Sequence, residues 1–156
     1  MHNSGAKAEN NRVRLQLDII ESASMVTGMV KIDPKKLAGE IAAEGHQAIY
    51  SIYFETDSAK LEARSGPTLA VIAKMLAQQP KLKLLVVGHT DMKGSLKHNM
   101  DLSKRRAQSV VKALVTKHKV AGNRLTADGV GYLAPVASNK NEAGRARNRR
   151  VELVER

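Results

Sequence analysis

Two side chains of opposite charge stand where they could bind a small zwitterion. Asp91 follows the short apolar run 82–87, and Arg106 comes 15 residues later, with Gly94 between them to let the chain bend. An arginine donates two parallel hydrogen bonds to a carboxylate, and an aspartate accepts hydrogen bonds from an ammonium group. A ligand that carries a free carboxylate and a free ammonium on one carbon would need two such partners.

The elements that position this pair are a strand and the helix after it. Residues 82–87 predict a short buried strand, and the apolar spacing over 102–118 predicts a helix. Arg106 then lies in the early turns of that helix, at the edge of its buried stripe, where it needs an anion or a set of acceptors. Asp91 lies beyond the carboxyl end of the strand, where ligands of alternating α/β units usually bind.

The rest of the chain predicts an α+β fold that contains βαβ units. Asp33, Pro34 and Gly45 mark the cap, the first turn and the end of an early helix. Strands alternating with helices need crossover connections and some parallel pairing. The other predicted elements are a strand over 48–54, a helix over 65–78, strands over 124–130 and 150–154, and one helical turn within 139–147.

Composition argues against several classes of protein. No stretch approaches the roughly 18 apolar residues of a membrane-spanning helix. The whole net charge of +11 falls within 49–156, and such a surface attracts polyanions. However, the chain has only three tyrosines and one phenylalanine and lacks a helix-turn-helix or zinc-finger pattern, so no specific nucleic-acid partner is expected. The histidines lack the spacing of metal ligands, so no metal and no cofactor is predicted.

A spaced series of residues carries more specific information. It comprises Gly88-His89-Thr90-Asp91, Gly94, Asn99, Leu102-Ser103, Arg106-Ala107, Gly129-Val130-Gly131 and Asn148-Arg149-Arg150. In this order the series resembles the signature of the OmpA-like peptidoglycan-binding domain, and the resemblance covers about residues 49 to 154. It implies a mixed four-stranded sheet with helices packed on one face. It also implies non-catalytic peptidoglycan binding in the periplasm, which anchors the outer membrane or an envelope complex to the cell wall.

The resemblance also assigns site residues. It implies that the ligand is the meso-diaminopimelate of the stem peptide, with Asp91 binding the ammonium group and Arg106 the carboxylate. The other residues that match the family's groove are Thr90, Asn99 and Leu102, with Asp57 contributing from the first loop. The sequence departs from the family at Glu55, where many members have aspartate, and this weakens the assignment of the first loop.

Each of these residues also has an ordinary structural interpretation. Alone, Asp91 would be a turn residue and Arg106 a partner in a structural ion pair. His89 is expected to order its loop by a hydrogen bond rather than to bind a metal. Arg149 is expected to brace the sheet or the binding loops, and Arg150 to be solvated.

The predicted organisation has three parts. Residues 1–11 are expected to be a disordered tail or a cloning scar, 12–48 an N-terminal extension, and 49–156 the OmpA-like domain. Two alternative functions remain open, a cell-wall hydrolase that uses His89 and Asp91, and a basic module that binds a partner protein of the envelope. Neither a nucleophile with an adjacent base nor a glycosidase pair of carboxylates is visible, which disfavours the hydrolase.

Overall fold

Four α-helices and four strands lie between residues 32 and 156, the part of the chain that the computed structural model describes. The predictions for residues 1–31 lie outside the described residues. In chain order the elements are α1 (Pro34–Glu44), β1 (His46–Ile49), α2 (Gly66–Gln78), β2 (Leu84–Gly88), α3 (Leu96–Thr116), β3 (Leu125–Gly129), α4 (Glu142–Asn148) and β4 (Val151–Glu155). No helix of residues 32–156 is both long enough and apolar enough to cross a bilayer.

The strands form one mixed sheet in the order β1-β4-β2-β3. β2 and β3 are parallel, and β4 is antiparallel to both of its neighbours. In the middle of the sheet, Val86 lies opposite Ala127 on β3 and Leu153 on β4. Helix α3 connects the parallel pair and makes the predicted βαβ unit. The predicted fold class, a mixed four-stranded sheet with helices packed on one face, is confirmed.

The core lies between the sheet and the helices. Alternation along β4 turns Val151 and Leu153 into this core. Leu37 and Ile41 of α1 are also buried there, and α1 begins at Pro34 and is closed by Gly45 as predicted. Residues 32–156 form one compact unit. The boundary expected between residues 48 and 49 therefore falls inside β1, whose preceding helix shares the same core.

Helix α3 lies directly on the ends of the two parallel strands. A Cβ atom on Gly88 would stand 2.1 Å from the carbonyl oxygen of Ser103, and one on Gly129 would stand 2.2 Å from the backbone nitrogen of Lys104. Only glycine leaves room for a helix backbone at this distance. The close approach predicted at Gly129 is confirmed, and it fixes the height of α3 above the carboxyl ends of β2 and β3.

Three predicted boundaries were wrong. The strand over 48–54 is β1, which ends at Ile49, and the extended chain after it makes only an isolated bridge between Phe54 and Leu61. The helix over 102–118 begins earlier, at Leu96, because the Ser95 hydroxyl caps it by accepting a hydrogen bond from the His98 nitrogen at 3.2 Å. Its polar first turns carry no apolar periodicity. The single turn within 139–147 is the longer helix α4.

Candidate functional site

The predicted site residues gather at the carboxyl ends of β2 and β3. Thr90 and Asp91 lie in the loop after β2, Asn99, Leu102 and Arg106 lie on α3, and Asp57 lies in the loop after β1. Because α3 begins at Leu96, Arg106 is in the middle of the helix rather than in its early turns. The structure brings the three charged residues together, since the charges of Asp57 and Asp91 both act on Arg106.

Asp91 is buried and already has polar partners. Its side chain is 11% exposed, and its Oδ2 accepts a hydrogen bond from Arg149 Nη1 at 2.7 Å. Its Oδ1 accepts a hydrogen bond from the Lys93 nitrogen at 2.9 Å. A carboxylate has about four lone-pair positions, so these two bonds leave acceptor capacity for a ligand. The bracing role predicted for Arg149 is confirmed, because it holds Asp91 in place.

Arg149 also connects the Asp91 loop to α4, through a hydrogen bond to Glu142. Burial acts to lower the pKa of Arg149, but its bonds to Glu142 and Asp91 outweigh burial and raise the pKa above the usual value. The same arginine, with help from Arg145, lowers the pKa of Glu142. Arg149 is therefore a charged residue, and each of its two terminal amino groups donates a hydrogen bond within the protein.

Arg106 is held differently. Its Nε donates a hydrogen bond to the Ser58 carbonyl at 2.8 Å, and its guanidinium carbon lies 5.0 Å from the centre of the Phe54 ring. Burial lowers the pKa of Arg106, while the charges of Asp57 and Asp91 oppose that shift. Its two terminal amino groups make no hydrogen bond to any residue of 32–156. The guanidinium is thus oriented by its inner nitrogen, and within the described part of the chain its outer fork is open.

The three uncharged site residues support the loop rather than project from it. The Thr90 nitrogen donates to the Gly131 carbonyl at 2.8 Å, and Thr90 Oγ1 is buried without a hydrogen-bond partner among residues 32–156. Asn99 Nδ2 donates to the carbonyls of Lys93 at 2.7 Å and of Ser95 at 3.1 Å. Leu102 is only 4% exposed. These residues therefore shape the loop that carries Asp91.

Sequence reasoning missed three contacts around Arg106. The Phe54 ring, the Ser58 carbonyl and the His98 ring all come from positions that show no signal in spacing or composition. His98 Nε2 lies 2.7 Å from Asp57 Oδ1 and joins the first loop to the start of α3. Each contact depends on how the loop after β1 folds back over α3. A local pattern cannot show this arrangement.

The prediction that Arg150 is solvated was wrong. The residue is 5% exposed, its Nε donates a hydrogen bond to Glu152 Oε1 at 2.9 Å, and its Nη2 lies 2.8 Å from the same oxygen in a salt bridge. It also donates to the Ala134 carbonyl at 3.1 Å. Because Val151 faces the helices, Arg150 and Glu152 alternate to the other face of the sheet, and the loop through Ala134 covers them there.

His89 lies beside this buried pair, at the base of the site. Its side chain is 4% exposed, and its Nε2 is 3.5 Å from Glu152 Oε2. Neither ring nitrogen has a hydrogen-bond partner among residues 32–156, so the contact with Glu152 is one of charge. The His89 ring and the Arg150 guanidinium together lower the pKa of Glu152 to about 2. The hydrogen bond that orders the His89 loop comes from the backbone instead, where the His89 nitrogen donates to the Arg150 carbonyl at 3.0 Å. Residues 32–156 contain no group of three or more side chains that could bind a metal ion.

Solved structures of other proteins share this architecture. The peptidoglycan-associated lipoprotein from Burkholderia pseudomallei is 30% identical with a TM-score of 0.63, covering 80% of this chain and all of the other. The cell wall anchor of the T6SS from Pseudomonas aeruginosa is 34% identical with a TM-score of 0.59, covering 76% of this chain and 92% of that one.

Curated proteins show the same relationship in sequence. The peptidoglycan-binding protein ArfA of Mycobacterium bovis is 39% identical over 103 residues, which are 66% of this chain and 31% of ArfA. The chain spans about a third to a half of the length of most curated relatives it matches. The OmpA family profile matches residues 53–149, which is more than half of the chain and includes the loop after β2 and all of α3. The chain therefore belongs to the OmpA family.

Proposed function

We propose that this protein binds peptidoglycan without cleaving it, through the meso-diaminopimelate of the stem peptide. It would thereby anchor the outer membrane or an envelope complex to the cell wall from the periplasm. The observation that carries the proposal is the open fork of Arg106 beside the buried carboxylate of Asp91. The names of the relatives, a peptidoglycan-binding protein and a cell wall anchor among them, support the choice of polymer.

The two charges divide the ligand between them. The free amino groups of Arg106 donate a bidentate pair of hydrogen bonds to the side-chain carboxylate of diaminopimelate. Asp91 accepts hydrogen bonds from the ammonium group on the same carbon, using the lone pairs that Arg149 and Lys93 leave free. Thr90, Asn99 and Leu102 form the wall that holds the Asp91 loop. Asp57 is on the rim of the site, in the first loop.

The same contacts favour binding over hydrolysis. A glycosidase needs two carboxylates that act as acid and as base or nucleophile, about 5 to 10 Å apart. Both oxygens of Asp91 are held by donors of the protein, and Asp57 faces His98. Thr90 Oγ1 has no base hydrogen-bonded to it among the described residues. These groups are placed to bind fixed charges rather than to transfer protons.

Cosedimentation with purified sacculi tests the proposal. Asp91→Asn and Arg106→Ala should each weaken binding at least about 30-fold, since each leaves a ligand charge without its partner in a partly desolvated site. Arg105→Ala is the matched control, because Arg105 is the exposed neighbour on α3 and its guanidinium bonds, within residues 32–156, only to Asp101 at 2.7 Å. Circular dichroism would verify that the variants are folded. Wild-type binding by folded Arg106→Ala protein would refute the assignment, and released muropeptides would show an enzyme instead.

A further inference from the structure

We propose that His98 tunes the affinity of this site through Asp57, so that binding of an anionic ligand at Arg106 strengthens when His98 is protonated. This inference rests on the proposed function for its ligand, but the contact on which it depends can be tested without ligand. It gives Asp57 a role different from direct ligand contact, because the carboxylate acts through its charge.

The first observation is the contact itself. Asp57 has a φ of +49°, which is rare for a residue other than glycine. This conformation turns the carboxylate towards α3, where Oδ1 lies 2.7 Å from His98 Nε2. His98 is the third residue of α3, and its own backbone nitrogen is held by the Ser95 cap. The His98 ring therefore starts from a fixed backbone and ties down an unusual turn of the first loop.

The second observation is that the next residue of the loop holds Arg106. The Ser58 carbonyl accepts the hydrogen bond from Arg106 Nε at 2.8 Å. Two consecutive residues of the first loop are thus bonded to two positions of α3, which are about 12 Å apart at 1.5 Å per residue. A change in the contact between Asp57 and His98 is passed to Ser58, and so to the orientation of the Arg106 fork.

The third observation is the balance of charge around Arg106. Asp57 and Asp91 are the two acidic groups that act on it, and Arg105 and Arg149 act with the opposite sign. Asp91 is neutralised by its bond to Arg149, whereas the only side-chain partner of Asp57 among residues 32–156 is His98. When His98 is neutral, the charge of Asp57 repels an arriving carboxylate. When His98 is protonated, that charge is balanced.

The other charged groups near His98 do not provide this balance. On α3 itself, Asp101 bonds to Arg105 at 2.7 Å, and Lys97 has no salt bridge among the described residues. The positive end of the α3 dipole disfavours a cation at its third residue. The negative charge of Asp57 offsets this unfavourable interaction with the helix dipole.

Binding and its pH dependence test the inference. The probe is a soluble disaccharide tripeptide that contains diaminopimelate, titrated at pH 7.5 and pH 5.5, across the range in which histidine normally changes charge. The affinity of the wild type should rise about two- to fivefold at the lower pH, as expected for one partly exposed charge pair. His98→Gln and Asp57→Asn should remove the rise, and His98→Lys should bind at pH 7.5 as the wild type binds at pH 5.5. His118→Gln, at the far end of α3, is the matched control and should titrate as the wild type does.

A measurement without ligand separates this inference from the proposed function. The backbone amide signals of Asp57 and Ser58, followed by NMR from pH 5 to pH 8, should titrate in the wild type and in His118→Gln but not in His98→Gln. Amides that titrate equally in the wild type and in His98→Gln would overturn the role of His98. If the wild type does not bind the probe at either pH, the proposed function fails, and with it the ligand part of this inference. If binding has the same pH dependence in the wild type and in His98→Gln, the inference fails and the proposed function stands.

Discussion

Replacing Glu152 with glutamine should make folding less sensitive to acid. The side chain is 16% exposed and lies between the His89 ring and the Arg150 guanidinium, which together lower its pKa from 4.5 to about 2. Because the folded state holds the carboxylate in its charged form, this group stabilises the fold above pH 4.5. The stabilisation is lost as the pH falls towards 2, since the unfolded chain takes up the proton first.

The size of the effect follows from the shift. A lowering from 4.5 to about 2, at roughly 1.4 kcal/mol per pKa unit, gives about 3 kcal/mol of folding free energy at neutral pH. The same linkage gives about 3 kcal/mol at pH 5 and about 1.5 kcal/mol at pH 3. Glutamine keeps the shape and accepts a hydrogen bond from Arg150, but it cannot neutralise that buried guanidinium. The advantage of the wild type over Glu152→Gln should therefore shrink by about half between pH 5 and pH 3.

Urea unfolding followed by circular dichroism at these two pH values measures the advantage directly. Glu155→Gln is the matched control, because Glu155 is exposed on the same strand and should follow the wild type at both pH values. If the stabilities of the wild type and Glu152→Gln change in parallel between pH 5 and pH 3, the ion pair does not hold the carboxylate as argued.

Two further predictions concern the packing of α3 and the selectivity of the site. Gly129→Ala should lower the free energy of unfolding by about 3 kcal/mol or more, because its Cβ would stand 2.2 Å from a helix nitrogen. The control Gly39→Ala, with nothing within 4 Å of its Cβ, should raise the free energy of unfolding by about 0.5 to 1 kcal/mol. Equal effects of the two variants in thermal unfolding would contradict the close approach of α3. A lysine-type stem peptide lacks the carboxylate that we propose Arg106 binds, so it should bind at least about tenfold more weakly than the diaminopimelate type in calorimetry. Equal affinities would refute this role of Arg106.

The fold was predictable where local signals and the family motif agreed. The cap at Asp33, the proline after it and Gly45 fix α1 to within a residue, because each acts on the backbone beside it. The start of α3 was not predictable from apolar spacing, since its first turns are polar and its first residue is set by the Ser95 cap. The first strand was placed too late because 50–54 is rich in residues that favour strands, yet it has no strand to pair with beyond one bridge.

The proposed site could be inferred from the sequence as a pair of charges but not as a set of contacts. Asp91 and Arg106 could be named because the motif fixes their spacing and because strand and helix place them on one side of the sheet. The burial of Arg150 could not be predicted, because it depends on the loop through Ala134, which covers the face of the sheet on which Arg150 lies. The contact between His98 and Asp57 joins residues 41 positions apart in sequence, and it depends on the positive φ of Asp57, which no sequence pattern predicts.

The difference between Arg106 and Arg149 supports the proposal that a ligand binds at this site without a large rearrangement. Both arginines stand near Asp91, and either could in principle neutralise it. Arg149 does so, and its bond to Glu142 fixes it there, so the carboxylate is held before any ligand arrives. Arg106 is instead oriented by a carbonyl and an aromatic ring, neither of which neutralises its charge. Both charges are thus buried and oriented by the fold before a ligand arrives. A ligand that matches them would gain their contacts with little further desolvation or ordering of these side chains.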